Sequence, residues 1–307
     1  MKAAAAWCAA LAAVALLASA CGGPAATGSA GRPRPERGRS PAREPARRIV
    51  SIVPAVTEML FAIGAGPQVI AVSSFDDWPP PVRSLPRVGA LLDPDVERIL
   101  TLRPDLVAVY GTQDELRAQL ARAGIATFPY TMGGLDNLTA AIRRLGPVVG
   151  RAKEADREAG RLQARFDAIR ERVAGLPRPR TLLVFGHEPG TLRSIDASGG
   201  TGFLSDIVEL AGGDNVFGSE KRESLRVSTE SILAAAPEVI IDLLYGRAAS
   251  PAELASERAA WASLPAVPAV RNGRVAILVG DEFVVPGPRL ADAAEAIAAV
   301  IHPAPGR

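Results

Sequence analysis

The same short pattern occurs twice in this chain, 133 positions apart. In each copy a glutamate, Glu97 or Glu230, heads a segment with helical spacing, and a proline, Pro104 or Pro237, follows seven positions later. An apolar run begins two residues after each proline. Each copy therefore predicts a short helix, a tight stop and a buried strand. The chain is expected to contain two related lobes with a cleft between them.

Hydrophobic spacing extends this organisation through both halves of the chain. The first half predicts strands at 49–53, 69–72, 106–110 and 127–130, with helices near 94–102 and 113–124. The second half predicts strands at 181–185, 239–244 and 275–279, with helices near 202–211, 229–236 and 290–301. Strands that alternate with helices predict two α/β lobes, each with a parallel sheet covered on both faces. We place these lobes at 49–150 and 177–302.

A long amphipathic segment, residues 151–176, separates the two lobes. Its apolar residues recur at spacings of three and four, and they are Ala155, Ala159, Leu162, Phe166, Ile169 and Val173. A helix of some 20 residues is about 30 Å long, enough to run from one lobe to the other. One stiff connecting helix predicts only modest closure of the lobes around a ligand.

The first residues have a different composition. Lys2 and the apolar stretch from Ala3 to Leu17 predict a lipoprotein signal peptide over residues 1–20, because 15 apolar residues are too few to span a bilayer comfortably. Cys21 then resembles the lipid-modified cysteine of a bacterial lipoprotein. Residues 21–48 are rich in Pro, Gly and Arg without apolar periodicity, which predicts a disordered tether. The protein is expected to be exported and to touch the membrane only through its lipid anchor.

Charge and motifs exclude several classes of function. Residues 49–307 contain 27 basic and 31 acidic residues, a net charge of −4, which argues against nucleic acid as a partner. The sequence contains neither a Gly-x-Ser-x-Gly nucleophile elbow nor a phosphate-binding P-loop, so catalysis is the weaker hypothesis. The glycine-rich segment 199–202 precedes a predicted helix and is open to three interpretations: a cleft loop, a tight turn or an anion site.

Three motifs together resemble one known family. They are the segment Arg48–Glu58, the segment Ser73–Pro80, and the two helices headed by glutamate. The chain resembles the substrate-binding proteins of ABC importers for vitamin B12, iron-siderophores and haem, and residues 73–79 are closest to the cobalamin-binding branch. This resemblance implies a monomeric, helical-backbone periplasmic binding protein without a cofactor. Its ligand would be a cobalt corrinoid or an iron chelate, and its partner an ABC permease dimer.

The resemblance also implies roles for the paired glutamates. In the family one surface glutamate on each lobe docks onto arginines of the permease, and the matching positions here are Glu97 and Glu230. The alternative is that each glutamate only complements the positive end of its helix dipole, worth about 0.3–1 kcal/mol. Arginine binds carboxylates bidentately, so two separated glutamates would also define the orientation of docking.

Candidate ligand-binding residues follow the ends of predicted strands, where open parallel sheets bind ligands. A broad, flat, mostly apolar chelate needs aromatic walls and a few polar groups. The candidates are Phe75, Trp78, Tyr110, His187, Tyr245, Asp281 and Phe283. For each aromatic residue the alternative is an anchor that covers the core, and for Arg289 a helix-end position at the surface is the expectation.

Other residues leave the ligand class open. Leu91 and Ser224 lie where the cobalamin-binding members carry tryptophan, so a ferric siderophore or haem remains an alternative. Arginines suited to anionic chelates are available at Arg193, Arg222 and Arg226. The chain has two histidines, neither in a spacing typical of a zinc or manganese site, so no bound metal is expected. His187 is expected to face the cleft.

Overall fold

The computed structural model describes residues 44–246 and 248–304. The predicted signal peptide, Cys21 and most of the predicted tether lie outside these residues. The end of the tether was predicted wrongly, because the last residues before the first strand already contact the folded part. The backbone N–H of Ala46 donates to the carbonyl of Val148 at 2.9 Å, and the N–H groups of Arg47 and Arg48 donate to the carboxylate of Asp105.

The N-terminal lobe is a four-stranded parallel sheet with helices packed against it. Its strands are β1 (Ile49–Ser51), β2 (Val69–Val72), β3 (Leu106–Tyr110) and β4 (Ala126–Tyr130), in the order β2-β1-β3-β4. Its helices are α1 (Pro54–Ala62), α2 (Val96–Thr101), α3 (Asp114–Arg122) and α4 (Leu135–Val148). All strand pairs are parallel, which confirms the prediction for this lobe.

The helix α5 (Ala152–Val173) has 22 residues and connects the lobes. At 1.5 Å per residue it is about 33 Å long. All six residues of the predicted apolar stripe are buried, and the helix packs on α4 at one side and on the helices of the second lobe at the other. The described chain passes from one lobe to the other through this single helix.

The C-terminal lobe contains a six-stranded sheet that is mixed rather than wholly parallel. Its strands are β5 (Arg180–Gly186), β6 (Ile195–Ser198), β7 (Asp214–Asn215), β8 (Ser224–Val227), β9 (Val239–Leu244) and β10 (Val275–Val279). Five of them follow the order β10-β9-β5-β6-β8, and β7 pairs with the start of β5. The strands β6 and β8 are antiparallel additions that the sequence analysis missed, because both are short and only partly apolar. The helices are α6 (Phe203–Leu210), α7 (Thr229–Ala235), α8 (Pro251–Ala262), α9 (Pro268–Arg271) and α10 (Leu290–Ile301).

The repeated sequence pattern corresponds to a repeated structural device. Asp95 and Ser228 cap the N-termini of α2 and α7 by accepting backbone N–H groups. At the other end of the two helices, the guanidinium groups of Arg48 and Arg180 donate to the last carbonyls, those of Leu102 and Ala235. The two lobes therefore hold their short helices by the same contacts, as expected of related halves.

The apolar core is continuous between the lobes. One cluster of buried side chains extends from the N-terminal sheet through α5 to one face of the C-terminal sheet. A smaller cluster fills the opposite face of that second sheet, under α7, α8 and α9. The period of two along β5 assigns Leu183 to the first cluster and Leu182 and Val184 to the second. A shared core of this kind resists wide opening of the lobes.

Candidate functional site

A cavity of about 340 Å³ lies where segments of both lobes meet. Met132, which follows β4, comes from the N-terminal lobe. The remaining lining residues come from the C-terminal lobe, and they are Phe185, Thr201, Gly202, Phe203, Leu204, Glu223, Ser224, Tyr245 and Val284. The walls are mainly aromatic and aliphatic, with a few polar groups at one side. This composition suits a flat, largely apolar ligand with polar edges.

Strand ends place the aromatic walls of this cavity. Phe185 lies near the carboxyl end of β5, and Tyr245 directly follows β9, the neighbouring parallel strand. Their side chains therefore emerge at the same edge of the sheet. Tyr245 is nearly half exposed, as a ligand contact requires. Of the seven predicted ligand-binding residues, Tyr245 is the one that lines this cavity.

The glycine-rich loop 199–202 forms another wall. Its backbone N–H groups are already bonded: Gly199 donates to Glu223, Gly200 to Glu220 and Thr201 to Arg222. Gly202 has a φ of 84°, a conformation that a side chain would strain. The loop is thus a rigid cleft loop, one of its three predicted interpretations. These three N–H groups are not available to an anion.

Phe75, Trp78 and Tyr110 lie on the N-terminal lobe, away from the lining of this cavity. Phe75 is 73% exposed and Trp78 is 44% exposed, whereas Tyr110 is partly buried. The loop that carries Phe75 and Trp78 is held by the buried Asp76, which accepts the backbone N–H of Ser73 at 2.9 Å. Burial raises the pKa of the Asp76 carboxyl, and burial likewise raises the pKa of Tyr110. Ligand contact through these three aromatic residues stays a prediction.

Arg289 does not lie free at the surface, so the expectation for it was wrong. Its side chain is 19% exposed and crosses to the other lobe, where it donates to Oε1 of Glu58 from Nη2 at 2.6 Å and from Nε at 3.1 Å. A further bond joins its Nη1 to Oε2 of Glu282 at 3.1 Å. The guanidinium carbon lies 5.1 Å from the centroid of Trp78. We call Glu58, Trp78, Glu282 and Arg289 the interlobe clasp.

Two further polar contacts join the lobes. The hydroxyl of Tyr130 donates to the carbonyl of Pro286 at 3.3 Å. Oδ2 of Asp206, in α6, accepts the backbone N–H of Leu135 at 3.0 Å and so caps the start of α4. Burial of Glu58 raises the pKa of its carboxyl, although Arg289 opposes that shift. The lobes are therefore joined by polar contacts in addition to the shared core.

Phe283 and His187 do not line the interlobe cavity. Phe283 is 5% exposed and belongs to the core. The His187 side chain is 2% exposed, and its Nε2 lies 3.0 Å from Oδ2 of Asp242. That hydrogen bond is the main reason why the pKa of His187 is raised to about 9. Asp281 accepts the backbone N–H of Gly246 at 2.7 Å, so it positions the loop that carries Tyr245.

Glu97 and Glu230 occupy equivalent positions on the two lobes. Each is the second residue of its helix, and each is exposed. The pKa of Glu230 is lowered, mainly by a hydrogen bond from the Ser228 hydroxyl, so this carboxyl stays ionised. Two of the three candidate arginines already have carboxylate partners, since Arg193 pairs with Glu188 at 2.9 Å and Arg226 with Asp196 at 2.8 Å.

Comparison with known proteins identifies the family of this chain. The sequence profile of the family described as "Periplasmic binding protein" matches residues 49–281. The chain belongs to this family. The vitamin B12-binding protein of Yersinia pestis (strain Pestoides F) is 30% identical to it over 198 residues, which are 64% of this chain and 69% of that protein. The resemblance seen in the sequence is confirmed, and the family is one of binding proteins rather than enzymes.

Solved structures of periplasmic binding proteins have a similar fold. The periplasmic vitamin B12 binding protein BtuF of Vibrio cholerae is 27% identical, with a TM-score of 0.71 over 84% of this chain and 97% of that one. The periplasmic heme-binding protein RhuT from Roseiflexus sp. RS-1 is 26% identical, with a TM-score of 0.70 over 84% and 98%. The predicted fold class is thereby confirmed. Within the described residues no helix has the length and apolarity that crossing a bilayer requires.

Sequence reasoning missed most of the cavity wall. Met132, Phe185, Phe203 and Val284 were not among the candidates, although all of them line the cavity. Phe185 was assigned to the last position of a strand and Phe203 to the start of a helix, and neither was considered as a wall. Their positions at an element end carried the signal, because the last residues of parallel strands and the first residues of the following helices surround the binding edge.

Proposed function

We propose that this protein is the extracytoplasmic substrate-binding component of an ABC importer and that it captures cobalamin or a related corrinoid in the interlobe cavity. The observation that carries the proposal is the aromatic-walled cavity between two lobes joined by one helix. The relatives named above as vitamin B12-binding proteins support the ligand class. Export and lipid attachment at Cys21 are part of the same proposal.

Haem or a ferric siderophore is the second candidate. Haem is supported by the similarity to the heme-binding protein RhuT at 26% identity. Ser224, where tryptophan was expected for a cobalamin receptor, is a small residue in the lining of the cavity. All three ligands are bulky metal chelates, so they share the requirement for a wide cleft with apolar walls.

Calorimetric titration of the purified protein with cyanocobalamin, haem and a ferric hydroxamate distinguishes these ligands. The proposal expects saturable binding of the corrinoid, and Tyr245→Ala should weaken it by up to about 10-fold, the value of one aromatic contact. Leu176→Ala is the matched control and should not change affinity, because Leu176 is an exposed residue beyond the end of α5 and does not line this cavity. Binding of haem alone would refute the corrinoid assignment and leave the receptor assignment standing.

We further propose that Glu97 and Glu230 dock the protein onto the permease. Glu97→Ala and Glu230→Ala should reduce ligand uptake by cells while the affinity of the purified protein for its ligand holds. Glu115→Ala is a matched control, since Glu115 is also an exposed second residue of a helix, α3. Uptake that falls equally in all three variants, or in none, would contradict the docking role. Loss of membrane attachment in Cys21→Ser tests the lipid anchor.

A further inference from the structure

A carboxylate lies inside the apolar face of a central strand. Asp242 belongs to β9, which is flanked by β10 and β5, and the residue is completely buried. Its side chain points to the same face as Ile240, which belongs to the smaller core cluster. A buried carboxylate destabilises the folded state strongly unless hydrogen bonds or positive charge compensate it. The position therefore requires a partner that offsets its charge.

Two other ligand-type side chains converge on Asp242. His187 comes from the loop after β5, and its Nε2 lies 3.0 Å from Oδ2 of Asp242. Glu257 comes from α8, and its Oε2 lies 3.7 Å from the same nitrogen. One ligand atom from each of the three residues falls within 4.8 Å of the others. A loop, a strand and a helix thus meet at one point.

The hydrogen bonds around these side chains leave lone pairs directed inwards. His187 Nδ1 lies 3.1 Å from the carbonyl of Glu188, so it donates there and leaves Nε2 facing the carboxylates. Trp261 Nε1 donates to Oδ2 of Asp242 at 2.8 Å, and the N–H of Gly190 donates to Oε1 of Glu257 at 3.0 Å. Oδ1 of Asp242 and Oε2 of Glu257 are buried without a partner. Outer hydrogen bonds of this kind orient metal ligands in proteins.

We propose that His187, Asp242 and Glu257 form a binding site for a divalent transition-metal ion of the zinc type. Two carboxylates and a neutral imidazole carry a charge of −2, which a divalent ion cancels. With metal–ligand bonds of about 2.0–2.1 Å, tetrahedral geometry separates neighbouring ligand atoms by about 3.3 Å. The observed separations of 3.0 and 3.7 Å lie on either side of that value. The set of one nitrogen and two oxygens favours zinc over magnesium or calcium.

A second cavity lies directly beside the cluster. A cavity of about 240 Å³ is lined by His187 and Glu257 and also by Phe185 and Tyr245. Three protein ligands with an open fourth position are typical of zinc sites that hold water or a small exogenous ligand. Phe185 and Tyr245 also line the interlobe cavity, so the ion would lie behind two of its walls. The site does not depend on which chelate that cavity binds.

Zinc titration of the chelator-treated protein tests this site. We expect about one zinc ion per chain by calorimetry and elemental analysis, and a rise in the unfolding temperature when zinc is added. Cobalt(II), used as a spectroscopic probe, should give the visible bands of a tetrahedral N/O site. These measurements use the unaltered protein and therefore do not depend on the folding of a variant.

Variants then identify the ligands. His187→Gln and Glu257→Gln should each lose more affinity than the roughly 10–100-fold expected for an outer partner, and Trp261→Phe should lose an amount within that range. Gln at position 257 keeps the volume and the acceptor for the Gly190 N–H, so this variant is expected to fold. His302→Gln removes the other histidine and serves as the control, with zinc binding unchanged.

Two results would overturn the proposal. If the chelator-treated protein binds no zinc or cobalt, a proton on His187 is sufficient to hold the two carboxylates together. If zinc binds but is lost in His302→Gln and kept in His187→Gln, the ion occupies an adventitious surface site. Failure of corrinoid binding in the cleft would not affect either measurement.

Discussion

Replacement of Arg289 by glutamine should destabilise the protein through the interlobe clasp. Glu58 is buried in α1, and its Oε1 accepts two hydrogen bonds from Arg289. Removal of one partner of a buried ion pair costs about 3–5 kcal/mol, because the other charge is left without compensation. Arg289 retains some exposure, so we take the lower value, about 3 kcal/mol. For a chain of this length that lowers the unfolding temperature by roughly 6–12 °C.

Replacement of the other partner, Glu58, should destabilise the protein less, and this difference tests the physical cause. In Glu58→Gln the guanidinium of Arg289 keeps Glu282 at 3.1 Å and its contact with Trp78, so we expect a loss of about 1 kcal/mol. The double variant should be more stable than Arg289→Gln alone, since no unpaired carboxylate remains. Arg170→Gln, which removes only an exposed pair with Asp167, is the control and should change stability by less than about 1 kcal/mol.

The loss of stability in Arg289→Gln should depend on pH in one direction. Burial raises the pKa of Glu58 above its ordinary value even with Arg289 present, and removal of the guanidinium should raise it further. A carboxyl with a raised pKa in the folded state stabilises that state at low pH and loses this contribution as the pH rises through the folded pKa. The loss of stability in Arg289→Gln should therefore be larger at an alkaline pH than at an acidic pH.

Urea unfolding at both pH values measures the effect against the parent chain. If Arg289→Gln lowers the free energy of unfolding equally at the two pH values, the electrostatic reasoning is refuted and lost packing is indicated instead. Equal losses for Glu58→Gln and Arg289→Gln would contradict the asymmetry that Glu282 provides.

Other predictions concern the linking helix, the interlobe cap and the cavity. Phe166→Ala, in the buried stripe of α5, should cost about 3–5 kcal/mol in urea unfolding, whereas Arg172→Ala on the exposed face should cost less than about 0.5. Asp206→Ala removes the acceptor for the Leu135 N–H and should cost about 0.5–2 kcal/mol; no loss would show that water replaces the cap. Tyr245→Phe should retain most of the ligand affinity that Tyr245→Ala loses, and an equal loss would indicate that the hydroxyl rather than the ring binds.

The spacing of apolar residues predicted helices and strands well where burial of their faces determines the pattern. The apolar stripe of α5 alternates at three and four residues because one face of the helix must be buried, and all six of its predicted residues are buried. The strand β3 is apolar throughout, and β9 is apolar except for Asp242, because both faces of a central parallel strand are covered. The antiparallel strands β6 and β8 lie toward one end of the second sheet, where coverage is partial and the pattern is weak.

The candidate site was predicted less completely. Tyr245 was found because it follows a strand, but Phe283 also lies in the segment that follows a strand, β10, and is buried. The loop geometry after each strand decides which way a side chain points, and spacing along the chain carries no information about that direction. His187 illustrates the same limit, because its environment is set by Asp242 and Glu257 rather than by its sequence neighbours.

What the amino-acid order determined by itself was local and repetitive: two related halves, their helices and central strands, and one long connector. Each of these follows from burial of one face or from a cap and stop within a few residues. Only the tertiary structure decided the long-range polar contacts. Glu58 and Arg289 are 231 residues apart, and Asp242 meets His187 across 55 residues. Such pairs form because folded elements bring them together, and no local periodicity constrains which distant partner each charge will meet.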